Sequence, residues 1–224
     1  MFRLIRLFNT SIGKKLVMAV TGLALLLFLI GHMLGNMKVF QGPDSLNEYA
    51  AWLQGHPLLW AFRISMLVLV ALHLYTALSL TRENWGARPQ AYRKRHLLRT
   101  SLTGRLMLVS GLFVLAFLIY HLLHLTLGVV DPASHALLDA QGRPDVFGRV
   151  VAGFRQPWLA GIYLAALALL GLHLNHAVQS LFQTLGFNHE SYQALIQFGS
   201  PALSLVLVLG FGSVPGLIWL GWVG

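Results

Sequence analysis

The chain has 224 residues, 56% of them hydrophobic and only 10% charged, with a formal net charge of +9. That balance excludes an ordinary soluble domain and points to a membrane protein. With no cysteine, the chain by itself holds no disulfide, iron–sulfur cluster, zinc–thiolate site or covalently attached c-type haem, so a cofactor would rest on His, Met, carboxylate or backbone. The basic residues lie between apolar spans, which argues against nucleic acid and for membrane lipid as the surrounding phase.

A helix needs about 20 apolar residues to cross a bilayer core. Five stretches meet that length, at 16–37, 59–81, 105–130, 157–183 and 198–221. The expected fold is therefore an all-α membrane protein of five transmembrane helices in a single domain, residues 1–224. The first stretch is too long for the apolar part of a cleaved signal and lacks a small-residue cleavage pattern. The fifth contains Pro201 and Pro215 and is expected to be kinked or ragged while still spanning.

Loop charges set the expected orientation. Residues 1–15 carry Arg3, Arg6, Lys14 and Lys15, and residues 82–105 carry Arg82, Arg88, Arg93, Lys94, Arg95, Arg99 and Arg105. The other side has Lys38, Arg63, Arg143, Arg149 and Arg155. The positive-inside rule then puts the N-terminus in the cytoplasm and the loops 38–58 and 131–156 outside. Trp52, Trp60, Trp158, Trp219 and Trp222 fall near span ends, where an aromatic belt lies.

The chain repeats itself. MAVTGLALLLFLIGHML at 18–34 set over MLVSGLFVLAFLIYHLL at 107–123 matches at ten of seventeen positions without a gap, with Met, Gly, Phe and His among them. Spans two and four match more weakly at an offset of 100, where Pro57 falls on Pro157 and Leu72-His73-Leu74 on Leu172-His173-Leu174. The first four spans thus read as one two-helix hairpin used twice, followed by a fifth helix. The repeat selects His32, His73, His121 and His173 from the ten histidines. Counted from the basic ends of the spans, His32 and His121 lie towards the outer face and His73 and His173 towards the inner, in layers roughly 10–12 Å apart.

Two neutral imidazoles facing across a bundle are the axial ligands of a b-type haem, which needs no cysteine. Gly22 and Gly111, ten residues before each outer histidine, would admit a porphyrin or a neighbouring helix. The competing readings are histidines that only bond a neighbouring helix and a haem-free, histidine-lined transporter. One zinc or copper ion bound by all four is excluded by the distance between layers.

With these residues in view, GHMLGN at 31–36, HLYTALSL at 73–80, RPQAYR at 88–93, YHLLHL at 120–125 and GLHLNHAVQSLFQTLG at 171–186 resemble the single-chain, five-helix, dihaem cytochrome b membrane anchor of bacterial succinate dehydrogenases and fumarate reductases. The resemblance covers nearly the whole chain. It implies two haem b, with His32 and His121 as axial ligands of the outer haem and His73 and His173 of the inner one. It implies a flavoprotein subunit carrying FAD, an iron–sulfur subunit carrying the clusters, and a quinone, usually menaquinone, as substrate. It places the complex in the bacterial cytoplasmic membrane, with no dicarboxylate chemistry in this chain. A haem b anchor of a hydrogenase or formate dehydrogenase is the nearest alternative. In such relatives an acidic residue near the outer start of span two serves the quinone. Here Asp44 and Glu48 are the acids of that loop, and Glu48 is the candidate. His124 is a second candidate, against the reading of a ring that merely reaches interfacial water.

Overall fold

The computed structural model describes residues 8–87, 102–187 and 189–224. Arg3, Arg6, Arg88, Arg93, Lys94, Arg95, His96 and Arg99 lie outside the described residues, as does the RPQAYR motif.

Five helices are long and apolar enough to cross a membrane. Helix α1 (Ser11–Asn36) begins under the Thr10 side chain, whose hydroxyl oxygen accepts from the Gly13 amide at 3.1 Å. It runs on through a 3₁₀ turn at Met37–Gln41. Short α2 (Pro43–Gly55) and long α3 (Leu59–Gly86) follow. After a single turn, α4 (Leu102–Arg105), comes α5 (Met107–His121), which ends in a π-helical turn at Leu122–Thr126. Two short helices, α6 (Pro132–His135) and α7 (Val146–Phe154), precede the long α8 (Pro157–Thr184) and α9 (Glu190–Trp219). Proline starts α2, α6 and α8, where its missing N–H costs nothing.

All five spans occur at the expected places, with two differences of extent. The fifth begins at Glu190 and runs as one helix through Pro201 and Pro215, spanning as expected. The third leaves regular α-geometry at Leu122, so 127–130 are not helical. Neither boundary is written in hydropathy, because polar Glu190–Gln193 continues a helix that its cap begins, and the apolar run past Thr126 turns away.

Helix α1 packs on α3 and α5 on α8, so the two hairpins of the repeat are packed units. They meet where α1 contacts α8, and α9 lies along both. One apolar core, around Phe154, Leu159, Tyr163, Val214 and Ile218, sits where α7, α8 and α9 meet. The other, around Leu26, Leu174, Val178 and Leu207, joins α1, α8 and α9. Helix α3 contributes to neither core.

The loops 38–58 and 131–156 close over each other at one end. Buried Asn47 is the pin: its amide donates to Asp139 at 3.2 Å and Asp145 at 3.0 Å, while its oxygen accepts from the Phe147 amide at 2.8 Å. Arg143 adds a salt bridge to Asp44 at 2.8 Å and another to Asp139 at 2.7 Å. At the opposite end Lys14 of α1 pairs with Glu83 of α3.

Candidate functional site

The structure sets His32 against His121, and seats His73 and His173 each on a hydroxyl of its own hairpin. His32 of α1 and His121 of α5 come from different hairpins, with ring centres 5.9 Å apart and planes at 82°. Their surroundings are aromatic. Phe28 stacks on His32 at 5.3 Å, one turn earlier on the same helix, and Phe211 of α9 lies 5.7 Å away. Phe117 and Tyr163 each stand 5.9 Å from His121. The Nδ1 of His121 is buried with no hydrogen-bond partner.

The second pair is held differently. His73 lies on α3 and His173 on α8. In each hairpin, the ring on the second helix meets a hydroxyl on the first. His73 Nδ1 lies 3.2 Å from Thr21 Oγ1, and His173 Nδ1 lies 3.3 Å from Ser110 Oγ. Both hydroxyls are buried. The residue after each hydroxyl is glycine, and the ring rests against it. A Cβ at Gly22 would come within 3.3 Å of His73 Cε1, and one at Gly111 within 3.2 Å of His173 Cε1. What these glycines admit is therefore the imidazole of their own hairpin.

This contact also resets the depth of the layers. His73 lies level with Thr21, and His32 follows Thr21 by eleven residues on one helix. At 1.5 Å per residue the layers are about 16 Å apart along α1, instead of 10–12 Å. Basic residues at span ends are a poor ruler, because α3 continues past Arg82 to Gly86.

The neighbours that the repeat did not select fall elsewhere. His124, in the π-helical turn, is buried rather than reaching interfacial water. Its Nδ1 bonds the Tyr163 hydroxyl at 2.8 Å, and Tyr120 stacks on it at 5.8 Å. Tyr163 touches the rings of both His121 and His124, as a spacing of three residues predicts. His176 is partly buried, with an Nδ1 that has no partner. Glu48, by contrast, is exposed on α2 beside the buried Asn47.

Arg149 closes this end of the molecule. It is buried, and it donates to the Leu125 carbonyl at 3.2 Å and the His135 carbonyl at 3.1 Å, tying the end of the third span to α6. The carboxyl of Asp139 is pushed up by burial, but bonds from Arg143 and Gln141 outweigh that and hold it below the usual carboxylate range.

Sequence reasoning missed Thr21, Ser110, Tyr163, Asn47 and Arg149. For the first two a signal existed. Thr21 falls on Ser110 in the repeat, a chemical match that counting identities passes over. Among the described residues, no group of three or more His, Cys, Asp or Glu converges to hold a bare metal ion. No family model, curated protein or solved structure matches the chain.

Proposed function

We propose that this chain is the dihaem cytochrome b anchor of a succinate:quinone oxidoreductase. It carries electrons across the membrane between an iron–sulfur subunit and a quinone, which its motifs imply to be menaquinone. The observation that supports this most is the facing of His32 and His121 from different hairpins at 5.9 Å. Two imidazoles bound on opposite sides of one metal through bonds of about 2 Å have ring centres about 6 Å apart, so this pair fits the group. The donor set fits as well, since neutral imidazoles in an apolar bundle without thiolates suit a b-type haem.

In this reading His32 and His121 would hold the outer haem and His73 and His173 the inner one, and the groups so held would supply one-electron transfer. The protein's own residues do the rest. Phe28, Phe117, Phe211 and Tyr163 keep water from the outer pair. Asn47 and Arg143 hold the two outer loops together, and Arg149 ties the second of them to the end of the third span. The N-terminus is cytoplasmic, and the flavoprotein and iron–sulfur subunits dock on that side of the bacterial cytoplasmic membrane. Glu48 and His124 are the quinone-side candidates. Glu48 is exposed where a quinone headgroup arrives at the interface, and His124 is engaged with Tyr163.

The test is a reduced-minus-oxidised spectrum of the purified protein. A sharp b-type α-band with close to two haems per chain is expected, and a haem-free protein would sink the proposal in favour of a histidine-lined transporter. Co-purification of flavin and iron–sulfur subunits is expected too. A hydrogenase or formate dehydrogenase partner in their place would identify a different complex.

A further inference from the structure

The inner histidines carry information that the outer ones do not, and it concerns which ring nitrogen bears the proton. A hydroxyl has one proton to donate. The Thr21 hydroxyl is already directed at carbonyls of its own helix, with Val17 O at 2.8 Å and Met18 O at 3.1 Å. The Ser110 hydroxyl is directed at Met107 O at 3.2 Å. With its proton spent on the backbone, each oxygen can only accept from the ring that it faces. His73 Nδ1 and His173 Nδ1 must then be the protonated nitrogens. The acceptors Met18 and Met107 are themselves partners in the repeat, as are Gly22 and Gly111, on which the two rings rest.

We propose that Thr21 and Ser110 are positioning residues that lock His73 and His173 as Nδ1–H tautomers, leaving Nε2 as the lone-pair nitrogen of each ring. This rests on the cytochrome reading for what the lone pair binds, though not for the lock itself. The consequence for a bound iron is direct. An imidazole whose N–H is donated to an oxygen is a more basic ligand and favours the ferric state, so the lock lowers the midpoint potential of the inner haem. His121 Nδ1 of the outer pair has no such bond, so the effect is expected at the inner layer. The rival reading is that each hydroxyl serves only its own helix, as serine and threonine commonly do in apolar spans.

Two measurements separate these readings. The first needs no haem: nitrogen NMR of the full chain, histidine-labelled and held in lipid. Two rings are expected with Nδ1 protonated and Nε2 bare, one losing that signature in Thr21→Val and the other in Ser110→Ala. Wild-type rings with the opposite tautomer, or signatures unmoved in both variants, would overturn the lock. The second is a redox titration of the α-band in the assembled complex. Thr21→Val and Ser110→Ala should each retain both haems and shift the inner one to a more positive potential, with the outer potential unmoved and Thr21→Ser and Ser110→Thr restoring the wild-type value. Unchanged inner potentials in both variants would overturn the positioning role. A chain that shows the lock but takes up no haem would refute the cytochrome reading alone.

Discussion

The two histidine pairs sit in one bundle and come from the same repeat, yet they are held by different physics. The inner rings are pinned: each has one nitrogen on a hydroxyl and one edge against a glycine. The outer rings are packed among Phe28, Phe117, Tyr163 and Phe211, and the Nδ1 of His121 is left unpaired. Hydrogen bonds set a ring's tautomer and azimuth, while aromatic packing sets its position and its access to water. A repeat can thus preserve the histidines while the layers diverge in how firmly each ring is oriented. The divergence extends to the neighbours. Where the second hairpin has His124, bonded to Tyr163, the first has Gly35, whose missing side chain makes room for Tyr49: a Cβ there would lie 2.8 Å from that ring.

The largest test of this division removes a ring. On the proposed dihaem reading, His173→Ala should abolish the inner haem and His121→Ala the outer, each leaving about half of the haem per chain by pyridine haemochrome assay. His124→Ala should leave both. If His124→Ala removed the outer haem and His121→Ala did not, the choice made by the repeat would be wrong.

A smaller change sharpens the contrast at the glycines on which the inner rings rest. Gly22→Ala crowds His73 and should cost roughly 1–3 kcal/mol, the usual range for overpacking, read as a lower thermal midpoint together with weakened retention of the inner haem. Gly31→Ala, where an added Cβ meets open space within 4 Å, is the control and should change neither.

Tyr163→Phe keeps the ring contacts of the outer layer and deletes only the bond to His124. Bonds of this kind within bilayers are worth about 0.6 kcal/mol on average, so the expected loss of stability is about 1 kcal/mol or less, with both haems retained. Loss of the outer haem instead would show that a hydrogen bond, and not packing, orients that layer too.

The smallest effect concerns the loops that Asn47 and Arg143 tie together. Because Asp139 is held below the ordinary carboxylate range, its ionised form stabilises the folded loop. That contribution is complete above the ordinary value of about 3.9 and is lost as pH falls through the lowered folded value. Melting temperature followed from neutral pH downwards should stay flat until the carboxylate range and then fall. Asp139→Asn should flatten the acid limb. The α-band of the inner haem should be insensitive to the same titration until the protein unfolds.

Much of the fold was legible from residue order, because a bilayer permits few solutions. Backbone groups in lipid must be satisfied within the segment, so five long apolar runs are five helices. The repeat was legible because Met, Gly, Phe and His recur at the same spacing in 18–34 and 107–123. Hydropathy does not show where a helix stops being regular, and so the π-helical turn at Leu122–Thr126 and the full length of α9 came only from the structure. Nor does it show what a polar residue touches. Asn47 reads as an ordinary loop residue, yet it is buried with three hydrogen bonds to groups 92 to 100 residues away in sequence.

Apolar length and periodicity suffice for the class of the molecule, its five spans, its duplicated hairpin and the four histidines that stand out from ten. These are one-dimensional properties, and the bilayer turns them directly into structure. How the four histidines differ is a matter of packing in three dimensions. Tautomer, depth and the company of each ring depend on which atoms of a second helix lie within about 3 Å of it. That is set by the packing of α1 on α3 and of α5 on α8, where Thr21 and Ser110 meet rings more than fifty residues away.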